Sequence, residues 1–237
     1  MAAVVPGPAG LIPAVRASHL TLARVLRELT DDEARAPSRL PGWSRGHVVT
    51  HLARNADGLR RMLVGAVEGR VAEMYEGGAS ARAAGIEAGA WRSGADLRAD
   101  AIDAAERLDA VWDQVSAEVW ANGRGAGVFG EIPMAEIVFR RLREVEVHSV
   151  DLGLNRFTVD DWSDSFVGSE WPQTVSALEA RLPDGVRIAL VRQEDLARTE
   201  LGPAGVAVTV VEQPFRRLLG WLMGRFDVPN APALKPW

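Results

Sequence analysis

The sequence predicts an α+β chain in which an N-terminal four-helix bundle is followed by a smaller α/β domain. Two observations carry this expectation. Up to about residue 152, apolar residues return every three or four positions, the period of helices with one buried face. Beyond it the pattern changes to short β-rich runs set between helices, as expected of mixed elements packing on one another. The expected domains are 1–153 and 159–237, with 153–159 as the linker.

The first helix is expected over roughly 11–30, with Val15, Leu22, Val25, Leu26 and Leu29 along one side. After the turn Arg39-Leu-Pro-Gly-Trp43, Ser44 is a natural N-cap, because its hydroxyl can accept a free amide of the next helix's first turn. That second helix runs over 45–66 with the stripe Val48, Leu52, Asn55, Leu59 and Met62. Between about 67 and 92 the period fades and glycine and alanine rise, which predicts a long loop carrying Tyr75 and Arg82. Loops of this length are often functional. The third helix spans 94–118, with Leu97, Ala101, Ala104, Leu108, Val111 and Val115 on one face. The fourth spans 131–152, with Pro133 in its first turn and Met134, Val138, Leu142 and Val145 as its stripe. After the linker come a helix over 160–182, β-rich runs over 186–192 and 206–211, and a last helix from Pro214 to about Arg225.

Composition narrows the function. Apolar residues make up 47% of the 237 and charged residues 25%, the balance of a folded globular chain rather than a disordered one. A net charge of −5 without any basic run argues against a nucleic-acid partner, which needs clustered positive charge. No apolar stretch approaches the roughly 20 residues that span a bilayer. The N-terminal MAAVVPGPAGLIPAVRA has no basic residue before Arg16 and is broken by prolines, a poor signal peptide, so a cytoplasmic protein is expected. The absence of cysteine removes disulfides, thiolate ligands and a cysteine nucleophile together. Any thiol chemistry must use a thiol from outside the chain.

Histidines mark the chemistry. The four are His19, His47, His51 and His148. Glu144 and His148 are four residues apart on the fourth helix, so their side chains share a face, in a row with Ile137, Arg141 and Asp151, while Glu146 points roughly the other way. On the second helix His51 lies beside Val48, Leu52 and Asn55 near the centre of the apolar stripe, whereas His47 falls toward its edge. His51, Glu144 and His148 would thus supply three ligands to one divalent ion, the count found in catalytic zinc sites that keep a position open. Facing helices of a bundle are an established place for such a site. Blander readings stand beside it: Glu144 and His148 as a helix-surface pair without metal, His19 as a hydrogen-bonded core histidine, His47 as an outer or substrate contact, and Arg140, Arg141 and Arg143 as solvated surface.

The run Gly42-Trp-Ser-Arg-Gly-His-Val-Val-Thr-His51-Leu-Ala-Arg-Asn55, the pair Met74-Tyr75 with Arg82 downstream, and Arg143-Glu144-Val-Glu-Val-His148-Ser-Val-Asp151-Leu-Gly resemble mycothiol-dependent maleylpyruvate isomerase. The likeness extends over nearly the whole chain. It implies a DinB-like metal-binding bundle and a small α/β domain ending in a Gly-Arg motif, here Gly224-Arg225. It also implies zinc at His51, Glu144 and His148, catalytic roles for Arg225 and Arg82, and pocket roles for Tyr75, Asn55 and Arg82. The implied cofactor is the low-molecular-weight thiol mycothiol, and the implied reaction turns maleylpyruvate into fumarylpyruvate in the gentisate route of aromatic degradation. A thiol is mostly protonated at neutral pH, but a metal-bound one is held as thiolate. Its addition to the cis double bond, rotation and loss would leave the trans isomer. Other readings remain: Arg225 serves a helix end, Arg82 is solvated, and Asn55 is a core amide. Competing functions are a mycothiol S-transferase on the same scaffold, a zinc-stabilised binding protein without activity, and a hydrolase using zinc-bound water. The oligomeric state stays open.

Overall fold

A computed structural model describes residues 8–235. The start of the segment read as a poor signal peptide, and the outer limits of both expected domains, lie outside the described residues. The architecture is α+β, and the chain divides into two compact units at Phe157–Thr158.

The unit ending at Phe157 is built on four long helices, α1 (Pro8–Leu26), α3 (Arg45–Val67), α5 (Gly94–Trp112) and α7 (Met134–Asp151). Helix α3 packs on α5 and α7, and α1 on α7 and α5, which closes the four into a bundle. Their facing stripes fill the interior: Leu26, Leu52, Leu97, Leu108, Val138 and Leu142 are fully enclosed at 0% exposure. Burial of each such side chain contributes about 1.5–3 kcal/mol.

The helix ends follow local caps more than hydrophobic period. Helix α1 stops at Leu26 instead of 30, because Thr30 and Glu33 form a reciprocal capping box that starts the short α2 (Asp31–Arg35). The third bundle helix ends at Trp112 rather than 118, and Ser116 caps a separate α6 (Ala117–Asn122), which leaves Val115 outside either helix. Helix α7 begins at Met134, with Pro133 as its N-cap, because residues before it pair as a hairpin of β1 (Arg124–Gly127) and β2 (Gly130–Pro133). The hairpin escapes a reading by period because its strands are only four residues long and rich in glycine. Gly125 is required there: a Cβ would sit 2.6 Å from Met62 Sδ.

The expected loop over 67–92 contains helix α4 (Gly78–Gly89), entered through Gly77 and Gly78 at φ +84° and +68°. Ile86 is its one buried residue, so it has no stripe for a periodicity reading to find.

The unit from Thr158 holds a three-stranded sheet of β3 (Arg187–Arg192), β4 (Arg198–Leu201) and β5 (Val208–Gln213). The order is β4-β3-β5, with β3 antiparallel to β4 and parallel to β5. Ile188, Leu190 and Val211 pack with Leu178, Leu218 and Leu222 into its core. The helix expected over 160–182 is three pieces: a 3-10 turn over Val159–Asp161, α8 (Asp164–Ser176) capped by Ser163, and α9 (Leu178–Arg181). Strand β4 is short and mostly polar and went unrecognised in the sequence. The last helix, α10 (Phe215–Leu222), ends earlier than expected: Gly224 takes a left-handed φ of +71°, and Arg225 therefore lies beyond the helix. Among the described residues, no helix is long and apolar enough to cross a membrane.

Candidate metal centre

Helix α3 begins with a capping box in which a histidine takes the usual place of glutamate. Ser44 Oγ accepts from the His47 amide, and the ring Nδ1 of His47 lies 3.2 Å from the Ser44 amide it accepts from. The other ring nitrogen of His47 is 3.1 Å from Glu87 Oε2 on α4. Both sides of that ring are thereby engaged, and it stands apart from the site one turn further on.

There, His51 is buried, with Nε2 2.8 Å from Glu144 Oε2 on α7. The same oxygen lies 3.4 Å from His148 Nε2, as the four-residue spacing of Glu144 and His148 on one helix face allows. The imidazoles of His51 and His148 meet edge to face at a centroid distance of 4.8 Å. One ligand atom from each of His51, Glu144 and His148 lies within 4.8 Å of the others. Two imidazoles and a carboxylate gathered this closely match the donor set and count of a catalytic zinc site, so the residues present fit a divalent ion.

The charges are arranged by burial and by one another. Burial pushes the His51 pKa down, against the pull of Glu144, and favours the neutral ring that a ligand requires. Burial opposes ionisation of Glu144 too, but hydrogen bonds from His148 and His51 outweigh it and hold the carboxyl well below its usual range. His148 goes the other way: despite burial, Asp151 and Glu144 raise it to about 9. The metal-free site at neutral pH thus carries a carboxylate, one neutral imidazole and one imidazolium.

Two further residues singled out in the sequence come to this place. Arg82, from α4 and not from a structureless loop, donates through Nη2 to His51 Nδ1 at 3.2 Å. Arg82 also hydrogen-bonds Tyr75, whose hydroxyl pKa is raised by burial in spite of the guanidinium. Trp43, which sequence reasoning passed over, stands edge-on to His51 at 5.6 Å and stacks on His47 at 6.1 Å.

Asn55 follows the plainer of its two readings. It is buried, and its Oδ1 accepts from Arg141 Nη1 at 2.9 Å, which accounts for it as a core amide. Arg141 in turn corrects the reading of Arg140, Arg141 and Arg143 as solvated surface: its exposure is 0%, and Nε donates to His19 Nε2 at 2.9 Å. The signal was present, since Arg141 falls in one row with Glu144 and His148, but the residue type hid it. Glu146 does point away from the triad, yet it is buried and accepts from Ser18 Oγ at 2.7 Å. Arg225 belongs to the other unit, where its Nη1 donates to the Met223 carbonyl at 2.6 Å.

Two expectations follow for metal binding. An incoming cation must displace the proton of His148, so apparent affinity should fall about tenfold per pH unit below pH ~9 for that single group. Chelator competition at pH 6, 7 and 8 measures the slope, and a flat profile contradicts it. His51→Ala should abolish tight metal uptake, whereas His47→Ala should keep it while losing about 0.5–1.5 kcal/mol of stability with the ring's hydrogen bond from the Ser44 amide. Metal analysis and thermal unfolding of the two variants give the comparison.

No curated protein sequence matches the chain. Two solved structures match it over 95% of its length and 96% of theirs, with TM-scores of 0.79 and 24% sequence identity. One is the crystal structure of a mycothiol-dependent maleylpyruvate isomerase, and the other is a histidine-to-alanine mutant of that enzyme. At that identity the likeness establishes the fold. The family model of the mycothiol maleylpyruvate isomerase N-terminal domain matches residues 15–153, more than half of the chain and the whole of the segment that holds the triad. On that match the chain belongs to the mycothiol maleylpyruvate isomerase N-terminal domain family.

Proposed function

We propose that this chain is a cytoplasmic isomerase that turns maleylpyruvate into fumarylpyruvate with mycothiol as its thiol, as in the gentisate route of aromatic degradation. The observation that carries the reading is the convergence of His51, Glu144 and His148 within a segment that matches the family model. In this reading residues 1–153 form the metal-binding domain and 159–237 the smaller α/β domain.

The ion proposed for the triad is Zn²⁺; when bound, it supplies the positive charge that holds a thiol as thiolate. The chain's own contribution is to hold and orient. His51 and His148 present ring nitrogens and Glu144 a carboxylate to one point, and Trp43 walls one side of His51. The chain has no cysteine, so the thiol comes with the cofactor. Arg82 brings a guanidinium beside the triad, suited to bind a substrate carboxylate and to stabilise negative charge developing on the substrate's carbonyl oxygen. Tyr75 keeps its proton near neutral pH, because burial raises its pKa, and is a second donor. Arg225 is the other proposed catalytic arginine.

The decisive assay follows both product and thiol with the zinc-loaded protein, maleylpyruvate and mycothiol. Fumarylpyruvate should form while free thiol stays constant. Thiol consumed in proportion to product would make the chain an S-transferase, and cleavage of the substrate by water without thiol would make it a hydrolase. Under the same conditions Arg225→Ala should keep metal and fold yet lose roughly 100-fold or more in kcat, the scale of a lost charge-stabilising donor. Unchanged turnover would remove Arg225 from the reaction.

A further inference from the structure

An imidazole that holds a metal through one nitrogen is only as well aimed as the partner of its other nitrogen. The two histidines of the triad differ in this respect. His51 Nδ1 meets a cation, Arg82, at 3.2 Å. His148 Nδ1 meets a carboxylate, Asp151 Oδ2, at 3.0 Å, three residues along the same helix face.

Asp151 stands where a carboxylate is unfavourable. It is the last residue of α7, at the end where the free carbonyls of a helix repel negative charge, and it is almost fully buried at 1% exposure. A buried carboxylate in that place needs a hydrogen donor and positive charge beside it. His148 supplies the donor. The backbone of Asp151 is anchored as well, its carbonyl accepting from the Arg39 amide at 2.8 Å, so the carboxylate is carried on a fixed point.

We propose that Asp151 is the positioning residue of the metal centre. Its carboxylate accepts the Nδ1 proton of His148 and turns Nε2 toward Glu144 Oε2, 3.4 Å away; when an ion takes the place of the Nε2 proton, the same bond keeps the remaining proton on Nδ1 and the lone pair on Nε2. Asp151 touches neither substrate nor ion; it acts through His148. A carboxylate behind the ring also makes Nε2 a stronger donor to a cation. The inference rests on reading the triad as a metal centre and is indifferent to whether the enzyme isomerises its substrate or transfers the thiol.

The test compares the full-length native chain with Asp151→Ala and Asp151→Asn. Zn²⁺ affinity is measured by competition with a chromophoric chelator, helix content by circular dichroism, and the His148 Nδ1 proton by NMR of the zinc-loaded protein. Asp151→Ala should lower zinc affinity by about 10–100-fold with helix content unchanged, and Asp151→Asn by less, since the amide oxygen keeps the acceptor without the charge. The Nδ1 proton, protected from exchange in the native chain, should exchange rapidly in Asp151→Ala, which a merely structural loss at the helix end would not produce. Native-like affinity in both variants overturns the proposal and leaves the triad standing as a metal centre. A native chain that takes up no zinc overturns both. Should Asp151→Ala fail to fold, the near-isosteric Asp151→Asn decides: affinity equal to native overturns the proposal, and reduced affinity with intact helix supports it.

Discussion

The register of α7 against α3 is the constraint on which the site depends, and Arg141 sets it. From the interior of α7 its guanidinium donates to the Leu52 carbonyl and Asn55 Oδ1 of α3, each at 2.9 Å, and to His19 of α1. Leu52 is the residue next to His51, and Arg141 is three residues before Glu144. A slide of one helix along the other by a single turn, about 5.4 Å, would break both bonds to α3 and separate His51 from Glu144. The arrangement is costly to bury, since the partners of the cation are neutral, and burial lowers its pKa to about 10. A buried guanidinium held by three hydrogen bonds is correspondingly intolerant of any alternative register.

That network continues away from the ligands. His19 accepts from Arg141 through Nε2 and so donates through Nδ1 to Asp109 on α5, 3.0 Å away, and Asp109 also takes the indole N–H of Trp112 at 2.9 Å. The four bundle helices are thereby joined by one polar chain. Burial pushes His19 down and keeps the ring neutral, as the donor and acceptor pattern requires. His19 is a core histidine, as the plainer reading of the sequence had it.

The three residues of the triad sit on long bundle helices, whereas Arg82 and Glu87 reach histidines of α3 from α4, which is mostly exposed and anchored by Ile86. Each of these residues meets a different histidine of α3: Arg82 meets His51 and Glu87 meets His47. Two residues of α4 therefore make polar contacts with α3, beside the buried Ile86.

Sequence alone was enough for the four bundle stripes, because a buried helix face repeats every three to four residues whatever its neighbours are. It also aimed His51 at the bundle interior and put Glu144 and His148 on one face, since helical spacing fixes direction, and the fold brings the three within 4.8 Å of one another. The caps at Thr30 and Ser116, the hairpin over 124–133, α4 and β4 escaped it, because short or weakly amphipathic elements leave little period to read. Only the tertiary structure decided the fate of the polar residues on the inner faces. Asn55, Arg141, Glu146 and Asp151 are all buried, yet their residue types are equally at home in water, and which of them is a strut, a core amide or a neighbour of a ligand depends on what the next helix brings within about 3 Å.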